Sequence, residues 1–159
     1  MKEILKLLEE DARITPERIA TMLGRPLSEV EKAIKKAEEE RVIVKYKTII
    51  NWDKLEGEEV WALIEVKVQP QRDRGFDEVA ERIYRFPETY SVYLVSGDYD
   101  LAVLVRGKTM QEVAGFVAQK LAPMESVQGT TTHFLLRRYK VDGEILEGGE
   151  KPKRLPLSI

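Results

Sequence analysis

The chain has 159 residues, no cysteine and a formal net charge of −2, which allows one large domain or two small ones and excludes disulfides, thiolate metal ligands and a cysteine nucleophile. The charge also excludes a strongly polycationic binder, so that any DNA binding has to be local. The apolar runs are far shorter than the ~18 residues of a membrane span and the N-terminus lacks a signal-peptide core, so we expect a cytoplasmic location.

The first 26 residues predict two helices and a turn. Apolar residues between positions 2 and 10 fall on one side of a helix, and these are Ile4, Leu5, Leu7 and Leu8. Thr15-Pro16 then indicates an N-cap and a first helical residue, because proline lacks the N–H that would be unbonded there. Gly24-Arg25-Pro26 interrupts the pattern as a tight turn does. The order predicts a helix-turn-helix.

The helix predicted from Leu27 to Glu40 has two different faces. One stripe is apolar (Leu27, Val30, Ile34 and Ala37), and the opposite face carries Ser28, Lys32, Lys35, Lys36 and Glu39. That polar face has the character of a helix that enters a major groove. Val42–Val44 and Tyr46–Ile50 then predict two short strands around Lys45, the size of a wing that can touch phosphates. A winged helix-turn-helix is therefore predicted over residues 1–50.

A three-helix packing motif with solvated lysines is the alternative for this segment. Net charge does not decide between the two, because residues 1–50 contain 11 Lys or Arg against 10 Asp or Glu.

Periodicity fails over residues 51–58, which we interpret as a linker, and a second pattern begins at Glu59. Alternation from Val60 to Val68 predicts a strand. A helix around residues 76–83, strands at 90–95 and 101–105, a helix capped by Thr109 and Glu112, and a long strand at 127–138 follow. The order predicts a ferredoxin-like βαββαβ domain over residues 59–140, so that the fold class is α+β.

Apolar side chains occupy both faces of the predicted sheet, although two helices can cover only one. The additional positions are Trp61, Leu63, Tyr93, Val95, Leu104 and Leu135. Such a face is usually buried against another copy, which predicts at least a homodimer. Beyond it, Asp142-Gly143 between apolar residues indicates a hairpin that could add an edge strand, and residues 148–159 have the composition of a flexible tail; together residues 141–159 form a C-terminal extension.

Residues 1 to about 140 resemble the Lrp/AsnC family, the leucine-responsive or feast/famine transcription regulators. The likeness lies in four stretches, which are Glu10–Ile14, Arg41–Tyr46, Ser96–Leu101 and Val127–Phe134 with its threonines. The resemblance implies an N-terminal winged helix-turn-helix and a C-terminal ferredoxin-like domain that binds an effector and oligomerises. It also implies dimers joined sheet to sheet that assemble further into octamers.

The resemblance makes the helix from Leu27 the recognition helix on double-stranded DNA. Ser28 and Lys32 are expected nearest the base edges, and Lys35, Lys36, Lys45 and Lys47 nearer the phosphates; Thr15, Arg25 and Glu29 complete the predicted DNA-binding set. Three positions depart from the family pattern, since this chain has Pro26 for serine, Ala33 for arginine and Arg41 for glycine. Because this arginine is absent, one expected contact is lost, either with DNA or within the DNA-binding domain.

The resemblance also implies a pocket for a small effector, an amino acid. The predicted residues are Ser96, Gly97, Asp98, Tyr99 and Asp100 in the turn and Thr130, Thr131 and Thr132 in the final strand. An aspartate can accept from the ammonium group of an amino acid, while turn N–H groups and threonine hydroxyls can donate to its carboxylate. An ordinary Gly-Asp turn beside threonines selected by β-propensity is the alternative.

Two functions remain at this point. The first is a DNA-binding regulator whose assembly or DNA affinity responds to an effector, and the second is an amino-acid sensor that acts through protein partners with weak or no DNA binding. An enzyme is not expected, because His133 is the only histidine, Asp98 and Asp100 lack a catalytic partner, and Ser96 lacks a nucleophile elbow. We expect no catalytic residue, no metal site, no cofactor and no membrane partner.

Overall fold

The computed structural model describes residues 1–55, 59–69 and 75–146, which fall into two compact units, Met1–Ile50 and a second unit that starts at Asn51. Within the predicted linker, Trp52–Lys54 form one 3-10 turn. The predicted tail at residues 148–159 lies outside the described residues. None of the helices among the described residues has the length and apolar character needed to cross a membrane.

Three helices form the first unit: α1 (Lys2–Glu10), α2 (Pro16–Leu23) and α3 (Leu27–Glu39). Each contributes one apolar stripe, and the stripes meet in a small core of Ile4, Leu8, Ile19, Ala20 and Val30. α1 thus covers the helix-turn-helix core, as its pattern predicts. At the turn, Gly24 adopts a left-handed φ of 60°, which glycine tolerates without the steric cost of a side chain.

The predicted pair of wing strands is wrong for this structure, because residues 41–50 contain no strand. Arg41 has φ 56°, a conformation that favours glycine, and Ile43 N–H donates to the Ala37 carbonyl at 2.9 Å, so this segment begins by folding back on the end of α3. Val42 and Val44 are then mostly exposed. Alternating apolar residues do not form a strand where the described chain offers no backbone partner.

The second unit is a four-stranded antiparallel sheet with two helices. Its elements are β1 (Val60–Val68), α4 (Phe76–Tyr84), β2 (Thr89–Leu94), β3 (Leu101–Gly107), α5 (Met110–Phe116, extended to Leu121 by a π-helical turn) and β4 (Val127–Phe134). The strand order is β2-β3-β1-β4. The predicted ferredoxin-like order is confirmed, and so is the capping of α5, where Thr109 Oγ1 accepts from Glu112 N–H at 3.0 Å.

One face of this sheet packs against the helices and the other does not. Ile64, Val66 and Val103 are fully buried on the helix side, together with Val79 and Ile83 of α4. The register pairs Leu63 with Leu104 on the opposite side, which we call the open face. Both leucines are half-buried in the single chain. The open face therefore presents apolar side chains that α4 and α5 leave uncovered.

Two strand predictions at the C-terminal end are wrong. β4 ends at Phe134 instead of Arg138, because its regular ladder with β1, its partner among the described residues, ends opposite Ala62; one further bond, from Leu135 N–H to the Trp61 carbonyl at 2.8 Å, follows. The Asp-Gly hairpin forms, with Asp142 at φ 48° and Gly143 at φ 90°, between β5 (Lys140–Val141) and β6 (Glu144–Ile145). Among the described residues β5 and β6 pair only with each other, so the hairpin does not add an edge strand to the main sheet.

Candidate nucleic-acid interface and effector site

The polar face of α3 is exposed along its whole length. Its apolar stripe buries Val30, which packs with α1 and α2, and Ala37, and this turns Ser28, Lys32, Lys35 and Lys36 towards solvent. These four predicted DNA-binding residues thus lie on one accessible surface of the helix.

The lysines of α3 differ in their ion pairs. Lys35 lies 3.8 Å from Glu39 and Lys36 lies 3.7 Å from Glu40, each one helical turn further on. Lys32 makes no ion pair within the described parts of the chain. The uncompensated positive charge therefore lies in the first half of α3, the half from which recognition helices contact base edges.

Arg25 and Glu29 take part in an ion-pair bridge between the helices. The Arg25 guanidinium contacts Glu3 of α1 at 2.6 Å and Glu29 of α3 at 3.3 Å. This exposed bridge joins α1, the turn and α3, and it adds only weakly to the buried core that sets the orientation of α3. The predicted contact of Arg25 and Glu29 with DNA would require part of this bridge to open.

Thr15 caps α2. Its hydroxyl accepts from Arg18 N–H at 3.3 Å, as expected for an N-cap. The pKa of the Glu17 carboxyl is lowered, first by its backbone hydrogen bond and then by its bond with Thr15. Glu17 is ionised at neutral pH, and its charge repels a phosphate that comes close to the first turn of α2.

We expect Thr15→Ala to lower the free energy of unfolding by about 1 kcal/mol, because the α2 N–H group that it caps loses its acceptor. Thr15→Ser retains the hydroxyl and should unfold like the wild type. Urea unfolding followed by circular dichroism measures both variants. An alanine variant as stable as the serine variant would exclude the cap as a source of stability.

Tyr46 anchors the segment that carries Lys45 and Lys47. Its hydroxyl donates to Glu38 of α3 at 2.9 Å. Burial raises the pKa of Tyr46, with further contributions from the hydrogen bond and the charge of Glu38. Lys45 and Lys47 are exposed on either side of this anchor. The tyrosine was absent from the predicted site, and its partner eight residues away follows no helical spacing that would have revealed it.

The turn Ser96–Asp100 joins β2 to β3 at one end of the sheet. Gly97 has φ 140°, which a side chain would strain, and no atom lies within 4 Å of the position that a Cβ would take. Ser96, Gly97 and Asp98 are exposed, while Tyr99 and Asp100 are half-buried. The backbone of the first three residues is thus accessible to a small molecule.

Asp98 and Asp100 have different surroundings. The Asp100 carboxylate accepts from Val68 N–H at 2.8 Å and lies 3.6 Å from the Lys67 ammonium. Lys67 also donates to the Asp98 backbone carbonyl at 3.0 Å. Within the described residues, the Asp98 carboxylate has no hydrogen bond or ion pair. Asp98 is consequently the aspartate available to a ligand, and Asp100 holds the turn to β1.

The three threonines of β4 do not lie on one face. Thr131 is opposite Glu65 on the open face, while Thr130 and Thr132 pair with Val66 and Ile64, whose side chains face the helices. Val66 also pairs with Leu101, directly after the turn. The turn and Thr130 therefore lie at the same end of the sheet, about two strand spacings or roughly 10 Å apart.

Lys67 and the Glu65–His133 pair were not predicted as parts of a site. Glu65 and His133 approach to 3.3 Å on the open face. The alternation of β1 puts Glu65 and Lys67 on that face, but their partners depend on strand register, which the local pattern does not encode.

The family models match both units of this chain. The Lrp/AsnC ligand binding domain matches residues 61–145, and a winged helix-turn-helix DNA-binding model matches residues 1–44. The chain is 53% identical to the uncharacterized HTH-type transcriptional regulator YugG of Bacillus subtilis over 157 residues, which cover 98% of this chain and 95% of that protein.

Solved structures give the same fold. A Neisseria meningitidis transcriptional regulator in complex with L-methionine matches with a TM-score of 0.70 and 21% identity, over 87% of this chain and 89% of that one. A feast or famine regulatory protein from M. tuberculosis, complexed with L-methionine, matches with a TM-score of 0.72 and 21% identity, over 91% and 95% of the two chains. With a family model over more than half of its length and a relative at 53% identity, the chain belongs to the Lrp/AsnC family of DNA-binding transcriptional regulators.

Proposed function

We propose that this regulator binds duplex DNA in the cytoplasm as a symmetric homodimer, and that an amino acid bound at the Ser96–Asp100 turn changes its affinity for DNA. The observation that carries the DNA part is Lys32, exposed in the first half of α3 near Ser28 and without an ion pair to any residue that the structure describes. Lys35, Lys36, Lys45 and Lys47 supply further positive charge for phosphates, since exposed ion pairs like that of Lys35 with Glu39 are weak and exchange readily.

The open face of the sheet is the proposed dimer contact. Leu63 and Leu104 lie side by side at its centre, and Tyr93 is 58% exposed beside them. Burying this face against its copy removes apolar area from water, the main favourable contribution to association. A two-fold axis through that contact gives two recognition helices for two half-sites about one helical turn of DNA apart. Further contacts between dimers would produce the octamers known in the family.

The proposed effector is an amino acid because the turn offers both kinds of partner that a zwitterion needs. The Asp98 carboxylate can accept from an ammonium group, and the turn N–H groups can donate to a carboxylate; because the three threonines of β4 lie on two faces, at most some of them can add a hydroxyl donor. L-methionine in the two structural neighbours supports the class of ligand. Such a ligand alters DNA binding only as far as its affinity differs between two arrangements of the subunits.

A thermal-shift series with the twenty amino acids tests the effector. A ligand present at 100 times its Kd stabilises the folded protein by about 2.7 kcal/mol, and this stabilisation raises the melting temperature clearly. We expect at least one amino acid to give this rise, Asp98→Asn to remove it and Asp77→Asn, a matched exposed aspartate on α4, to retain it. No rise with any amino acid would contradict the proposed effector.

A sensor that acts through protein partners is the second candidate. The near balance of charge in residues 1–50 and Ala33 in place of arginine favour it. The salt dependence of DNA affinity distinguishes the two functions, because a protein that contacts several phosphates loses DNA affinity steeply as the salt concentration rises. A chain that fails to bind duplex DNA even at low salt would support the sensor.

A further inference from the structure

The effector turn is attached to the end of β1 by side chains, at the point where the strand ladder stops. Regular pairing of β1 with β3 ends at Val66 and Leu101. Beyond it, Asp100 N–H donates to the Val66 carbonyl at 3.1 Å and the Asp100 carboxylate accepts from Val68 N–H at 2.8 Å. Lys67 lies between Val66 and Val68 in β1, so its side chain is on the other face of the strand from theirs. Its ammonium reaches the turn from that face.

The contact of Lys67 with the turn is a backbone contact. Its ammonium donates to the Asp98 carbonyl at 3.0 Å and lies 3.6 Å from the Asp100 carboxylate. A trans peptide is planar, with its C=O and the following N–H directed to opposite sides. Because the Asp98 carbonyl points at Lys67, the Tyr99 N–H points away from Lys67.

That N–H belongs to a run of unbonded donors. Within the part of the chain that the structure describes, the N–H groups of Gly97, Asp98 and Tyr99 make no hydrogen bond. Successive backbone N–H groups in a turn form concavities that bind anionic oxygens. The space where Gly97 would carry a Cβ is empty to 4 Å, so a ligand can approach this backbone.

We infer that Lys67 is a positioning residue, which holds the Asp98 carbonyl so that the Tyr99 N–H is directed at the carboxylate of the effector. The inference rests on the proposed effector function and assigns it a residue outside the turn. Lys67 itself is not placed as the partner of the carboxylate, because its ammonium lies on the carbonyl side of the Asp98–Tyr99 peptide, whereas a carboxylate bound by the Tyr99 N–H lies on the other side. Its charge instead compensates that of Asp100, which would otherwise repel an anion nearby.

The test uses the full chain labelled with ¹⁵N-tyrosine, which gives six backbone amide signals, one of them from Tyr99. Tyr99→Phe identifies that signal by its disappearance. Sodium acetate, a bare carboxylate, is titrated against sodium chloride at equal ionic strength. We expect a saturable shift of the Tyr99 amide with acetate in the wild type, at least tenfold weaker binding in Lys67→Met, and near-normal binding in Lys67→Arg and in the control Lys108→Met.

The same four proteins are then titrated with L-methionine and with L-methioninamide, which lacks the carboxylate. Lys67→Met should lose about tenfold in affinity for L-methionine, roughly the value of one hydrogen bond to a charged group, and little for the amide. If Lys67 had a purely structural role, Lys67→Met would lower the affinity for both ligands alike, and this result would overturn the inference. Binding of L-methionine to the wild type without a shift of the Tyr99 amide would also overturn the inference, but it would leave the proposed effector intact. A Tyr99 shift with acetate in a protein that binds no amino acid would contradict the proposed effector, and the role inferred for Lys67 would be overturned with it.

Discussion

Lys32→Ala is expected to lower the affinity for duplex DNA by about 100-fold without changing the oligomer. Loss of one side chain that reads a base edge costs about 1–3 kcal/mol, and a symmetric dimer loses it twice. Lys32 is the α3 lysine whose charge no carboxylate offsets within the described residues. Its replacement therefore removes positive charge from the surface that we propose to face the groove.

The duplex for this measurement is selected from a random pool by the wild-type protein, and affinity is measured by gel shift at fixed salt. Lys6→Ala removes the same charge from an exposed position on α1, outside the helix-turn-helix, and should change affinity by less than about threefold. An affinity of Lys32→Ala equal to that of Lys6→Ala would remove Lys32 from the DNA contact.

Leu104→Glu is expected to convert the protein to monomers and to lower DNA affinity by at least about 100-fold. The substitution places a charge beside Leu63 at the centre of the open face, where dimerisation would bury it without a partner. A monomer presents only one recognition helix, so the gain from binding two linked half-sites is lost.

Sedimentation velocity gives the mass of this variant, and circular dichroism shows whether its fold is retained. Because Leu104 is half-buried at a surface of the single chain, the fold should survive the change. Gln111→Glu adds the same charge at an exposed position of α5 and should remain dimeric. A dimeric, folded Leu104→Glu would mean that the subunits join elsewhere.

Features with a local cause were predictable from the sequence. The capping residues of α2 and α5, the glycine turn and the alternation of β1 each depend on neighbours within a few positions, and each appears in the structure. The ferredoxin-like order follows from them. The ion pairs of two α3 lysines could also have been predicted, because Lys35–Glu39 and Lys36–Glu40 have the four-residue spacing of helical ion pairs.

Features that depend on distant pairing were not predictable. Val42–Ile50 has the composition of strands but lacks a partner in the described chain, and β4 ends at Phe134, where its ladder with β1 ends opposite Ala62. The distinction between Asp98 and Asp100 arises from Lys67, some 30 residues earlier, through a register that the turn sequence does not contain. The candidate site was therefore located by sequence, whereas the roles of its two aspartates required the structure.

Native mass spectrometry of the wild-type protein with the selected duplex tests most directly whether paired subunits present α3 to DNA. We predict complexes that contain two protomers, or a multiple of two, per duplex, and a free protein that is at least dimeric. A single protomer bound to the duplex, or a monomeric free protein at micromolar concentration, would contradict the account.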